Sequence, residues 1–154
     1  MYISETTAPF YNDFKGSPKE LIMETANYYL ALSGVLTVLL WIPYILSRMI
    51  TWGLPGFLHS YPKVIPQQSE WEKRAQRVHL NMVETMPAFI AVVLAANYLA
   101  VDTAIDTIGL WAQVFFYARV VHAFVFSLAI PYLRTPTYLV SWAAILMIGA
   151  QVIM

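Results

Sequence analysis

Between Trp71 and Glu84 the chain reads WEKRAQRVHLNMVE, which drives five charges, a histidine and an asparagine into the start of a helix of membrane-spanning length. An ionisable side chain at the centre of a bilayer costs about 2.5–3.5 kcal/mol unless it meets a partner or a wet cavity. A second polar set, Arg119 with His122, interrupts another long apolar run. Helices that carry such groups must turn them toward protein or water, so the pattern demands a bundle whose polar faces are covered. Those same groups are the first candidates for function.

The rest of the chain reads as integral membrane protein. Of 154 residues, 59% are hydrophobic and 12% charged, against about 25% charged in an ordinary soluble domain. Formal net charge is zero and there is no basic tail, so nucleic acid is not an expected partner. The absence of cysteine removes disulfides, thiolate metal sites and a cysteine nucleophile, and no metal is expected. Residues 1–17 lack the basic and apolar regions of a cleavable signal and read as a polar N-terminal arm.

The expected fold is all-α: a single domain, 1–154, built as a bundle of four transmembrane helices at about 18–50, 69–100, 107–131 and 136–154. Ser17, Pro18 and Glu20 supply an N-cap, a first-turn proline and a capping-box glutamate for the first helix, and Ser69 with Glu72 repeats the box for the second. At 1.5 Å per residue the second helix runs roughly 45 Å, longer than the ~30 Å hydrocarbon core, so its polar first turns project beyond it. Arg48, Lys63, Lys73, Arg74, Arg77 and Arg134 fall on one side of this topology, Lys15, Lys19, Asp102 and Asp106 on the other. The positive-inside bias then puts both termini outside the cytoplasm and both polar clusters near its face. A bacterial inner membrane and the endoplasmic reticulum fit equally.

Within the second helix Arg74, Arg77, Asn81, Glu84 and Ala88 recur every three or four residues and share a face, while His79 points elsewhere. Arg119, His122 and Phe126 form a stripe on the third helix. An ion pair between Glu84 and Arg119 is expected, since it neutralises two charges that neither helix carries cheaply alone. Snorkelling toward headgroups accounts well for Lys73 but poorly for the deeper Asn81, Glu84 and Arg119. His122 also reads as a buried imidazole bonded to a carbonyl, and Arg48 and Arg134 as interfacial anchors. Together the arginines make a pocket for a small anionic ligand. Tyr138, one turn past Arg134, offers it a hydroxyl. Trp52, Trp111 and Trp142 read as belt or packing residues.

The segment EKRAQRVHLNMVETMP, from Glu72 to Pro87, followed by RVVH from Arg119 to His122, resembles the MAPEG family, the membrane-associated proteins of eicosanoid and glutathione metabolism. The resemblance covers most of the chain. It implies a homotrimer of four-helix bundles that binds glutathione between subunits near the cytoplasmic face. Arg77, Asn81 and Glu84 would hold the glutathione peptide, with His79 and His122 lining or supporting the site. Arg119 matches the arginine that pairs with the helix-two glutamate. Arg134 matches the arginine that stabilises the thiolate, Tyr138 a glutathione-contacting tyrosine, and Arg48 an arginine that reaches into the neighbour's site.

The implied chemistry is thiol activation: a guanidinium at the sulfur favours the thiolate, the nucleophile. The thiolate then attacks an electrophile or reduces a lipid hydroperoxide arriving from the bilayer. Phe126 stands where many catalytic members carry tyrosine, and Thr135, beside Arg134, is the substitute hydroxyl donor. Two other readings are compatible with these residues. One is a non-catalytic MAPEG-like protein that binds lipid or a membrane partner; the other is a haem-binding anchor with His79 and His122 as axial ligands.

Overall fold

The computed structural model describes residues 18–59, 67–99 and 105–154, with side chains placed from residue 23 in the first segment and from residue 107 in the last. The polar arm, the Ser17 cap, Lys15, Lys63 and Asp102 lie outside the described residues, as do the side chains of Lys19, Glu20 and Asp106. Every regular element described is helical: α1 Pro18–Leu39, α2 Ile42–Trp52, α3 Leu54–Leu58, α4 Glu70–Leu99, α5 Ile105–Ser127 and α6 Arg134–Ile153. Four stretches are long and apolar enough to cross a membrane: Met23–Trp52, Glu70–Leu99, Thr107–Ser127 and Arg134–Ile153.

The first span differs from the continuous helix expected over 18–50. Pro43 lacks an N–H, so the carbonyl of Leu39 loses its donor four residues on, and the ring crowds that carbonyl as well. Trp41 N–H turns instead to the carbonyl of Val38 (3.2 Å), and the helix restarts loosely with Ile45 N–H on Trp41 O (3.4 Å). The regular helix therefore breaks at Leu40–Trp41 and resumes as α2. A short α3 also occupies part of the stretch expected as a loop. Pro87 lies inside α4 without ending it.

α5 sits at the centre, packed against α1, α4 and α6. Its inward residues Ile108, Ala112 and Phe115 meet Met82, Met86, Phe89 and Val93 of α4 and Ala144, Ile145 and Ile148 of α6 in one buried cluster. Phe89 and Phe115 stack with ring centroids 3.8 Å apart. At the end away from the arginines, Asn27 and Asn97 exchange side-chain hydrogen bonds (2.6 and 3.3 Å) and tie α1 to α4. Large apolar side chains such as Val38, Ile50, Leu94, Phe124 and Leu146 point outward. That surface is unsuited to water and suited to lipid.

Between α5 and α6 the chain reverses through two residues in the left-handed region, Ala129 (φ 56°) and Tyr132 (φ 65°). For a residue with a Cβ this conformation costs roughly 1–2 kcal/mol. The tight turn returns Arg134 over the end of α5, with its guanidinium 5.8 Å from the Phe126 ring.

Candidate functional site

The buried polar layer lies among α4, α5 and α6. Arg119 is 2% exposed and sits between aromatic rings, its guanidinium carbon 4.8 Å from the centre of Tyr138 and 5.5 Å from that of Phe115. Its Nη2 donates to the Thr85 hydroxyl at 2.6 Å. Nε and Nη1 have no hydrogen-bond partner among the described residues. Thr85 in turn donates back into α4, toward the carbonyls of Asn81 and Met82 (both 3.1 Å).

His122, also 2% exposed, is held at both ring nitrogens. Nδ1 lies 3.0 Å from the carbonyl of Arg134 and 3.2 Å from the Thr137 hydroxyl. A carbonyl can only accept, so Nδ1 carries the hydrogen and Nε2 is the acceptor, facing Asn81 Nδ2 at 3.5 Å. This geometry leaves no ring nitrogen of His122 open to iron, and His79 belongs to a different network, so the haem reading is not carried further. No group of three His, Cys, Asp or Glu side chains able to hold a metal occurs among the described residues.

That second network joins α2 to α4. Glu72, 2% exposed, accepts from Arg48 Nε (3.0 Å) and from the Ser47 hydroxyl (3.3 Å). Arg48 Nη2 donates to Gln76 Oε1 (2.8 Å), and the guanidinium lies over the rings of Tyr44 and Trp52. The Tyr44 hydroxyl is 3.1 Å from His79 Nδ1. The arginine that the resemblance sends toward a neighbouring subunit is thus bound within its own chain. Its partner Glu72 is the residue the sequence reading used as a capping glutamate; the Ser69 hydroxyl does accept from its N–H (3.1 Å), while its carboxylate serves α2.

The expected Glu84–Arg119 pair does not form in the chain. Glu84 lies 3.9 Å from Arg77, and both side chains are exposed on the outer face of α4, at 53% and 57%. Helical geometry accounts for the difference: successive residues turn by about 100°, so Thr85, not Glu84, faces α5 and takes the guanidinium. Thr85 is the residue of this layer that the charge pattern does not mark. Its signal was the stripe Met82, Thr85, Met86, Phe89, a buried face with one hydroxyl in it. Thr137, Gln76 and Tyr44 carried no comparable mark.

A third region opens at the end of the bundle. Arg74, Phe126, Tyr132, Arg134 and Thr135 line a pocket of about 510 Å3. Arg74 Nε donates to the Ser127 carbonyl (3.3 Å), and Phe126 packs between His122, at 5.5 Å, and the Arg134 guanidinium. The candidate residues therefore divide: Asn81, Arg119, His122 and Tyr138 meet in the buried layer, Arg134 and Thr135 in this pocket, Arg77 and Glu84 on the outer face, Arg48 and His79 against α2.

A family model, that of the MAPEG family, matches residues 25–154. The chain belongs to the MAPEG family. No curated protein and no solved structure matches it. As a MAPEG protein it is a multi-pass integral membrane protein of the family of glutathione and eicosanoid metabolism, a family that holds glutathione transferases and peroxidases and also non-catalytic members.

Proposed function

We propose that this MAPEG chain binds glutathione at a site completed by a second copy, and uses it as a transferase or peroxidase on lipophilic substrates. The observation that carries the reading is the position of Arg77 and Glu84. Glu84 stands near the midpoint of the 30-residue α4 and is half exposed on a single chain. A carboxylate facing lipid within a membrane span is costly, so this face belongs against protein or a polar ligand. A cation and an anion side by side also complement glutathione, which carries carboxylates and an ammonium. Arg77 suits a carboxylate, Glu84 the ammonium and Asn81 the peptide, with His122 and Tyr138 as supporting contacts, while Arg48 and His79 brace α2 against α4 within the chain. A homotrimer, with termini outside and the arginine-rich end in the cytoplasm, fits this arrangement.

In this reading Arg134 holds the glutathione sulfur as thiolate, because a neighbouring positive charge favours the ionised form. The Thr135 hydroxyl donates a hydrogen bond to the same sulfur. The thiolate attacks the electrophilic carbon of a lipophilic substrate, forming a C–S bond as the leaving group departs with its electron pair. With a hydroperoxide, two glutathiones are oxidised to the disulfide while ROOH becomes ROH and water. The second reading, a lipid-binding member without turnover, draws on Phe126, which brings no hydroxyl to the Arg134 pocket.

A glutathione titration distinguishes them. Wild-type protein in detergent is expected to raise thiolate absorbance and turn over a general electrophile. Arg77→Ala and Asn81→Ala weaken binding, and Arg134→Ala retains binding but loses the thiolate. Binding without turnover in the wild type selects the second reading. No glutathione binding at all rejects the first reading and leaves the lipid-binding one.

A further inference from the structure

The turn that carries Arg134 is built with side chains where the backbone favours glycine. α5 closes in the pattern of a Schellman cap: Ile130 N–H bonds the carbonyl of Val125 (3.0 Å) and Ala129 N–H that of Phe126 (3.1 Å). Ala129 occupies the left-handed position of that cap, at φ 56°. Further on, Leu133 N–H reaches back to the carbonyl of Pro131 (2.8 Å), a three-residue turn with Tyr132 at its centre at φ 65°. Two residues with a Cβ thus hold conformations that cost them energy and would cost glycine little. Burial does not enforce them, since every residue from Leu128 to Pro136 is exposed.

What holds the turn comes from two other helices. The residue four positions after Ser127 is Pro131, which has no N–H, so the Ser127 carbonyl lacks its helical donor. Arg74 Nε of α4 takes that carbonyl at 3.3 Å. At the far end the His122 ring of α5 donates to the carbonyl of Arg134 at 3.0 Å. The turn is therefore clasped before its first left-handed residue and again after its last. Between those points the chain sets how Arg134 and Thr135 enter the pocket that Arg74 also lines. Backbone strained in this way persists only where its surroundings hold it, and it gathers at functional sites.

We propose that Arg74 is a positioning residue: its hold on the Ser127 carbonyl fixes the turn that sets Arg134 and Thr135 against the glutathione sulfur. This rests on the reading of Arg134 as the thiolate partner. Arg74 acts through the backbone, so the donor at Nε matters and the charge does not. Glutamine carries an N–H at the same place along its side chain, bonded to Cδ as Nε is in arginine, while methionine of similar length carries none. The two substitutions separate the clasp from the cation.

The test is a pH titration of glutathione thiolate absorbance on full-length protein in detergent, with amide exchange at Ala129, Ile130 and Leu133 measured alongside. A guanidinium at the sulfur lowers the thiolate midpoint, so loosening Arg134 raises it. Arg74→Met is expected to raise the midpoint by about one unit, a tenfold loss of thiolate below it, and to speed exchange in the turn. Arg74→Gln should stay within about 0.3 unit of wild type, a twofold change, with exchange unchanged. Ala129→Gly removes the cost of one left-handed residue and should return the midpoint of Arg74→Met toward wild type. Equal shifts in the glutamine and methionine variants overturn the proposal, because the charge then acts directly. So does a methionine variant with the wild-type midpoint. If circular dichroism shows that Arg74→Met fails to fold, Arg74→Gln decides alone: a raised midpoint overturns the proposal, and a wild-type midpoint with wild-type exchange upholds it. A wild type that forms no thiolate rejects the Arg134 reading and this inference with it, whereas thiolate in the wild type with equal variants rejects the inference alone.

Discussion

Replacing Thr85 by valine removes one hydroxyl at nearly constant volume and isolates what Arg119 requires. The guanidinium is 2% exposed, and Thr85 is its one hydrogen-bond partner among the described residues, at 2.6 Å. Neutral interhelical hydrogen bonds within membranes average only about 0.6 kcal/mol. A hydrogen bond to a charged group contributes about 1.5–3 kcal/mol, and stranding a buried charge raises the cost further. The charged case applies here, so Thr85→Val should destabilise by about 2–3 kcal/mol. For a domain of this size that lowers Tm by about 4–12 °C. The control is Arg119→Met, which replaces the ion with an apolar chain of similar length; such exchanges are often neutral or stabilising. Thermal unfolding in detergent of both single variants and the double variant closes a thermodynamic cycle. If the cost of Thr85→Val comes through Arg119, it falls below about 0.5 kcal/mol in the Arg119→Met background. An equal cost in both backgrounds, or none in either, refutes the account of the buried layer.

Other outcomes follow from the remaining networks. Glu72→Ala strands Arg48 against α4 and should cost about 3 kcal/mol, the low end for a broken buried pair, because Arg48 keeps Gln76; Tm measures it. Glu84→Gln touches only an exposed contact worth at most ~1 kcal/mol, so Tm of the chain should hardly move while glutathione affinity falls tenfold or more by titration. Phe126→Tyr adds a phenol beside Arg134 and is expected to raise turnover of a general electrophile; unchanged turnover would count against Arg134 as the thiolate partner. His122→Phe removes the link between α5 and the Arg134 carbonyl, so faster amide exchange at the start of α6 is the expected signature.

Residue order alone determined the class of protein. Four apolar stretches with charges concentrated at their starts admit only a membrane bundle, because a bilayer has no water to satisfy exposed backbone or stray ions. Helical spacing likewise marked Arg77, Asn81, Glu84, Arg119 and His122 as residues that must be covered, and Pro43 was present to be read as a break. Which group covers which was decided only by tertiary packing. A periodicity says that Asn81 and Glu84 share a broad face, but a turn of 100° separates Glu84 from Thr85, and the position of α5 chose the threonine for Arg119. In the same way, only the packing of α2 against α4 could assign Arg48 to Glu72, since the two lie 24 residues apart in sequence. Pairings across helices depend on distances that no one-dimensional pattern contains.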